Sequence, residues 1–137
     1  MNFLIKNISE YINVFSQLEI DSNSKNIIYL NGELGSGKTS FIKAFMEHKF
    51  NYYETTSPTF GLINTYHTQD NEIYHYDLYR IKELNELDDL GLYEFLNKDT
   101  IHFIEWPNLI PREIICPKII INFTLVDVYR LISIENL

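Results

Sequence analysis

Apolar residues recur at helical spacing in three stretches of the chain. The stretch 8–19 predicts a first helix, and residues 39–50 predict a second one with an apolar face. Residues 82–98 predict a third helix that breaks at Gly91, because glycine favours interruption of a helical pattern. The apolar positions that define these faces are Ile8, Tyr11, Ile12, Phe15 and Leu18, then Phe41, Ile42, Ala44, Phe45 and Met46, then Leu84, Leu87, Leu90, Leu92, Phe95 and Leu96.

Short apolar runs between these stretches predict β-strands. The runs are residues 25–30, 60–66, 73–79, 101–104, 119–125 and 129–134. The polar turn 68–71 joins the second run to the third and predicts an antiparallel hairpin. The alternation of strands and helices predicts one α/β domain over residues 1–137, with a mixed sheet flanked by helices and an antiparallel hairpin portion.

The string GELGSGKT at residues 32–39 matches the phosphate-binding P-loop pattern G-x-x-x-x-G-K-T. It lies between a predicted strand and a predicted helix, which is the context that a P-loop NTPase-like fold requires. Glycines let the backbone approach a phosphate closely, and the loop N–H groups with the helix N-terminus form an anion site. Lys38 is placed to reach the β- and γ-phosphates, and the Thr39 hydroxyl to complete the shell of Mg²⁺. The predicted nucleotide contacts are Glu33, Leu34, Gly35, Ser36, Gly37, Lys38, Thr39 and Ser40.

Two carboxylates are candidates for the other half of such a site. Glu105 ends an apolar run, which is where P-loop folds carry an acid near the P-loop strand. Asp77 lies in the aromatic string HYDLYR at residues 75–80. Either acid could hold Mg²⁺, directly or through water, or orient the attacking water. Thr59 follows Pro58 and is a candidate switch residue that senses Mg²⁺ or the γ-phosphate, although Pro58 alone would also explain a strand entry there.

Charge and composition disfavour several classes of function. The net charge is −8 and the chain holds three arginines without a basic cluster, so we expect no independent binding to DNA or RNA. The apolar runs are too short to span a membrane. A single cysteine, Cys116, and an N-terminus unlike a signal peptide favour the cytoplasm. Guanine specificity is disfavoured because the nearest N-K-x-D-like string, at residues 97–100, has its acid one place early; adenine is the default.

Five strings together resemble the TsaE (YjeE-type) P-loop ATPases of bacterial tRNA threonylcarbamoyladenosine biosynthesis. They are GELGSGKTS at residues 32–40, SPTF at 57–60, HYDLYR at 75–80, LGLYE at 90–94 and IEWP at 104–107. The P-loop is common to many families, whereas DLYR and IEWP together are far more specific. The resemblance implies a compact ATPase with a mixed sheet.

The resemblance also implies roles for individual residues. Thr39 and Glu105 would ligate Mg²⁺, Asp77 would be important for ATP turnover, and Thr59 would lie in a switch-like segment. Arg130 would lie by the nucleotide, although the glycines often found before that arginine are absent here. Ile8 would touch the adenine. The residues expected to support catalysis are Lys38, Thr59, Asp77 and Glu105.

The implied activity is slow ATP hydrolysis that a TsaB–TsaD complex raises. That complex would form N6-threonylcarbamoyladenosine at position 37 of tRNAs that read codons starting with A, and this chain would meet tRNA only through it. Two other functions fit a P-loop. A small-molecule kinase should carry an Arg-rich lid, which the sequence lacks. A nucleotide-switched binding module, which hydrolyses ATP negligibly, would look the same in sequence.

Overall fold

A computed structural model describes residues 1–58 and 62–137. The described residues form a mixed seven-stranded sheet in the order β1-β7-β6-β2-β5-β4-β3. The strands are β1 (Asn2–Ile5), β2 (Asn26–Asn31), β3 (Ile63–His67), β4 (Glu72–Asp77), β5 (Ile101–Glu105), β6 (Ile119–Val126) and β7 (Tyr129–Asn136).

Parallel pairing in the centre of the sheet sets the position of the P-loop. β2 runs parallel to β5 and β6, and β4 runs parallel to β5. The carboxyl ends of these four strands therefore share one edge, which is where open α/β sheets bind ligands. The P-loop leaves β2 at this edge, and Asp77 and Glu105 end β4 and β5 as directly paired residues.

Antiparallel strands flank the centre. β3 and β4 form the predicted hairpin, joined through Thr68 and Asn71, whose backbone groups are hydrogen bonded at 2.8 Å. The predicted strand 60–66 begins in residues 59–61, which lie outside the described residues. On the other side, β6 and β7 form a tight hairpin with Asp127 in the left-handed region at φ 56°. β1 adds to β7 as an antiparallel edge strand, and the sequence patterns did not predict it.

The helices are α1 (Tyr11–Phe15), α2 (Lys38–Phe50), α3 (Leu84–Asp89) and α4 (Leu92–Leu96), with 3₁₀ turns at Ile8–Glu10 and Pro107–Leu109. The prediction of one helix over residues 8–19 was too long. The apolar positions of this stretch do face the core, because Tyr11 and Val14 are fully buried. The helix, however, ends at Phe15. The break predicted at Gly91 is confirmed: Gly91 adopts φ 68° and separates α3 from α4.

Two cores lie on opposite faces of the sheet. Alternate residues of β2 supply both, since Ile28 and Leu30 pack against α1 and α2 while Ile27 and Tyr29 pack against α3 and α4. Fully burying one such side chain contributes about 1.5–3 kcal/mol. The sheet that carries the P-loop is thus held from both sides. None of the helices in the two described ranges is long and apolar enough to cross a membrane.

Candidate nucleotide-binding site

The P-loop joins the end of β2 to the first turn of α2. Gly35 and Gly37 adopt φ 77° and 107°, the left-handed region that favours glycine. The first turn of an α-helix leaves its N–H groups without intrahelical acceptors. These groups and the positive end of the thirteen-residue α2 therefore favour an anion at the loop.

The ammonium group of Lys38 lies inside the loop. Nζ donates to the carbonyl oxygens of Gly32 at 2.5 Å and Glu33 at 3.0 Å. It also lies 4.5 Å from the centroid of the Trp106 ring, a cation–π arrangement. Burial lowers the pKa of Lys38, and the nearby carboxylates of Glu105 and Asp77 oppose that shift. The ammonium is therefore poorly hydrated, which strengthens its attraction to an anion.

Thr39 and Glu105 are in direct contact at the mouth of the loop. The Thr39 hydroxyl donates to Glu105 Oε2 at 3.1 Å, with Oε1 at 3.4 Å. Ser57 donates in turn to Thr39 Oγ1 at 3.2 Å. The Glu105 side chain is buried at the end of β5. A hydroxyl paired with a buried carboxylate beside an anion site offers the oxygen ligands that Mg²⁺ prefers.

Asp77 faces the same opening from the end of β4. Its Oδ1 accepts the backbone N–H of Tyr79 at 3.1 Å, which fixes the carboxylate. Burial raises the pKa of Asp77, and the Glu105 charge adds to the rise. An acid with a raised pKa beside a second carboxylate is a pattern typical of functional sites.

His75 and Tyr66 form a contact that the sequence patterns missed. Its place in a strand pattern, without metal-ligand spacing, favours a structural role for His75. In the fold its Nε2 lies 2.5 Å from Glu105 Oε2, and its Nδ1 lies 2.7 Å from the Tyr66 hydroxyl. The clue in the sequence is that His75 lies two residues before Asp77 and so shares a sheet face with it, but the register that brings it to Glu105 is not local information.

Arg130 reaches the P-loop from β7. The backbone register places it beside Leu125 of β6 and Ile5 of β1, near the edge where the P-loop leaves the sheet. A Cβ added at Gly37 would lie 2.5 Å from Arg130 Nε, so the arginine covers that glycine closely. The same Nε is buried and has no hydrogen-bond partner among residues 1–58 and 62–137. An arginine donor of this kind beside an anion site is suited to a phosphate.

These side chains share one cleft of about 410 Å³. Its lining residues are Leu34, Gly35, Gly37, Lys38, Thr39, Ser40, Ser57, Asp77, Glu105, Trp106 and Arg130. Most of the predicted site residues are thus brought together.

Three of the predicted residues with described positions stand apart from that lining, and a fourth lies outside the described residues. Glu33 contributes its carbonyl to Lys38, while Ser36 is buried behind the loop. Ile8 is 60% exposed on the 3₁₀ turn before α1. Thr59 lies in residues 59–61, outside the described part of the chain, so its role stays a prediction.

The donor set fits a cation that is shared with a phosphate. Across the described ranges, no group of three or more His, Cys, Asp or Glu side chains is arranged to hold a metal alone. Mg²⁺ is usually held by one or two protein oxygens together with substrate phosphates and water. Thr39 and Glu105 match that requirement, with Lys38 on the phosphate side.

Comparison with known families decides where the chain belongs. The family model described as "Threonylcarbamoyl adenosine biosynthesis protein TsaE" matches residues 5–132. This chain belongs to the TsaE family. The match spans both the P-loop and Arg130, so it covers the whole cleft described above.

Individual TsaE relatives agree with that assignment. The tRNA threonylcarbamoyladenosine biosynthesis protein TsaE of Rickettsia felis is 41% identical over 127 residues, which is 90% of this chain and 73% of the relative. The protein of the same name from Bacillus subtilis is 36% identical over 88 residues, 64% of this chain and 54% of the relative. The chain is therefore similar to TsaE proteins from two bacterial genera.

The fold has a solved counterpart. The crystal structure of Bacillus subtilis YdiB superposes with a TM-score of 0.71 at 25% identity, covering 99% of this chain and 84% of that one. The predicted α/β fold, with its mixed sheet, flanking helices and antiparallel hairpin, is confirmed.

Proposed function

We propose that this TsaE-family chain is an ATP- and Mg²⁺-dependent P-loop ATPase. Its hydrolysis of ATP supports a TsaB–TsaD complex that forms N6-threonylcarbamoyladenosine at position 37 of tRNAs reading codons that start with A. One observation carries the proposal: the Thr39 hydroxyl contacts the Glu105 carboxylate at 3.1 Å, at the opening of the loop that holds Lys38.

The phosphates of ATP would bind along the loop. The N–H groups from Glu33 to Ser40 supply the cradle, and Lys38 supplies the positive charge. Lys38 donates to two loop carbonyls. A bound phosphate would offer this ammonium a stronger, charged acceptor. Arg130, whose Nε is unpartnered among the described residues, would add a second cationic donor.

Thr39 and Glu105 would hold Mg²⁺. The ion would neutralise charge that develops on the phosphoryl oxygens during transfer. Thr39 contributes a hydroxyl oxygen and Glu105 a carboxylate, whose negative charge favours a divalent cation.

Asp77 is the residue we assign to turnover. It is the second carboxylate of the cleft and its pKa is raised by burial, so it is suited to accept a hydrogen bond from, or a proton of, an attacking water. Thr59 is proposed as a γ-phosphate sensor and Ile8 as an adenine contact, both on family resemblance. The exposed position of Ile8 leaves its side chain free to meet a base.

The small number of cationic side chains in the cleft supports a protein partner that assists ATP hydrolysis. The cleft is lined by two cationic side chains, Lys38 and Arg130, among the residues described. Phosphoryl transfer relies on cations to stabilise its transition state, and a partner can supply one in trans. We therefore expect slow hydrolysis by the chain alone. The net charge of −8 disfavours direct tRNA binding.

The test is phosphate release from Mg²⁺–ATP by the purified chain, alone and with TsaB–TsaD and tRNA. We expect a slow rate that rises with the complex. Rapid turnover by the chain alone would contradict the proposal. A slow rate that the complex leaves unchanged would favour a nucleotide-switched binding module instead. Phosphorylation of an added small molecule would favour a kinase.

A further inference from the structure

Two chains of hydrogen bonds meet on one oxygen of Glu105. Ser57 donates to Thr39 at 3.2 Å, and Thr39 donates to Oε2 of Glu105 at 3.1 Å. From the other side, Tyr66 contacts His75 at 2.7 Å, and His75 contacts the same Oε2 at 2.5 Å. His75 is fully buried, and Tyr66 is buried at 2% exposure.

The donor that faces Glu105 follows from hydrogen accounting. An ionised Glu105 only accepts hydrogen bonds, so His75 presents Nε2–H to it. The Tyr66 hydroxyl lies 2.7 Å from His75 Nδ1 and 2.7 Å from the carbonyl oxygen of Thr56. The carbonyl can only accept, so Tyr66 donates to Thr56 when His75 Nδ1 carries a hydrogen, and to Nδ1 when it does not. In either case the Tyr66 hydroxyl holds the imidazole ring in its orientation toward Glu105.

We propose that His75, oriented by Tyr66, is a positioning residue that fixes the Glu105 carboxylate for the cation. Two donors converge on Oε2, so Oε1 keeps free acceptor capacity for a cation or its bound water. His75 does not itself reach the cleft lining; it acts through Glu105. This inference rests on the proposed function, because it assigns a cation to that carboxylate.

A second buried Tyr–His pair supplies a matched comparison. Tyr76 lies on the opposite face of β4 and its hydroxyl is 2.8 Å from Nδ1 of His102. The other nitrogen of His102 donates to the backbone carbonyl of Lys98 at 2.9 Å. Both histidines are fully buried, but only His75 joins its tyrosine to a side chain of the cleft. A structural role alone would make the two pairs behave alike.

Partners of metal ligands fix the orientation and basicity of those ligands. Removing such a partner typically lowers metal affinity by about 10–100-fold. His75→Leu removes the donor with little change in volume, whereas His75→Gln keeps an N–H at a similar distance from the backbone. Tyr66→Phe removes only the hydroxyl and should produce a smaller effect in the same direction.

The experiment measures the affinity for ADP by calorimetry, with Mg²⁺ and with EDTA, and takes the ratio of the two. Each variant is first shown to fold by its thermal unfolding. We expect His75→Leu to reduce the wild-type Mg²⁺ effect by about 10-fold or more, with His75→Gln recovering most of it. Tyr76→Phe and His102→Gln, the control variants, should keep the wild-type ratio. Affinity measured in EDTA should stay near wild type in every variant.

Two results would overturn the inference. One is an unchanged Mg²⁺ effect in both His75→Leu and Tyr66→Phe. The other is an equal loss in Tyr76→Phe, which would mean that general destabilisation explains the effect. If His75→Leu does not fold, Tyr66→Phe decides the matter with the same ratio, compared with Tyr76→Phe as its control. If the ADP affinity of the wild-type chain does not depend on Mg²⁺, the proposed function is refuted instead. Failure of the inference and failure of the proposed function are therefore distinguishable.

Discussion

Two substitutions at Glu105 distinguish its contribution to folding from its contribution to metal binding. Glu105→Ala removes the acceptor of His75 Nε2, which lies 2.5 Å from the carboxylate and is fully buried. An unpaired buried donor costs about 1–3 kcal/mol, and loss of one buried methylene costs about 0.8 kcal/mol. The free Thr39 hydroxyl can turn to solvent at little cost. We therefore expect a loss of about 3 kcal/mol in the free energy of unfolding.

That loss is large enough to measure in a chain of this length. With 137 residues, the entropy of unfolding is about 0.29 kcal/mol/K, so a loss of about 3 kcal/mol lowers Tm by about 10 °C. Glu105→Gln behaves differently because its carbonyl oxygen still accepts from His75 and its NH₂ can donate to Thr39. We expect this variant to remain within about 1 kcal/mol of wild type.

The assay is urea unfolding and thermal unfolding without nucleotide or Mg²⁺, followed by ADP binding with and without Mg²⁺. Glu105→Gln should fold normally and lose the Mg²⁺ effect on affinity, because it keeps the hydrogen bonds and loses the charge. Two results would contradict these roles of Glu105: a Glu105→Gln variant destabilised as much as Glu105→Ala, or one whose nucleotide affinity keeps the full Mg²⁺ dependence.

Four further predictions concern neighbouring groups. Asp77→Asn should slow ATP turnover more than it weakens binding. Burial raises the pKa of Asp77 above its ordinary 3.8, so ionisation of Asp77 destabilises the fold as pH rises through the folded pKa. Asp77→Asn should therefore have a higher free energy of unfolding than wild type at pH 7. In urea titrations this difference should shrink as the pH falls toward 3.8. Burial lowers the pKa of His102 below its ordinary 6.5, so the stability that neutral His102 contributes above pH 6.5 is lost as pH falls through its folded pKa. The free energy of unfolding of His102→Gln should therefore depend less on pH in this range. Gly35→Ala should lower the free energy of unfolding, measured in urea, by about 1–2 kcal/mol because of its left-handed backbone. Gly37→Ala should lower it more, because the new Cβ would lie 2.5 Å from an arginine nitrogen. Equal losses in the two variants would mean that the arginine side chain moves away without cost. Lys38→Ala should weaken ATP binding in calorimetry or abolish turnover in a phosphate-release assay, and wild-type values in both would exclude its phosphate role.

The local parts of the site could be predicted from sequence. The P-loop is a contiguous string whose glycines and lysine have direct physical roles, and the strand and helix around it lie in the structure where the apolar pattern predicted them. Glu105 was selected because it ends an apolar run, and it does end β5 beside Thr39. These features depend on sequence neighbours, so periodicity and chemistry are sufficient to find them.

Features that depend on register could not be predicted. The contact of His75 with Glu105 joins residues thirty positions apart, and it exists only because β4 pairs with β5 in one particular alignment. The strand β1 is four residues long, too short for its alternation to stand out, and it is defined by pairing with the far end of the chain. Residues 8–19 keep helical spacing although the helix ends at Phe15, because burial of an apolar side chain does not require helical backbone.

The central claim is that ATP turnover at this P-loop supports repeated rounds of tRNA modification. The most direct measurement counts N6-threonylcarbamoyladenosine formed by TsaB–TsaD when tRNA exceeds the complex, with either the wild-type chain or Lys38→Ala. We expect many modified tRNAs per complex with the wild-type chain and far fewer with Lys38→Ala. Equal yields with the two chains would contradict the central claim.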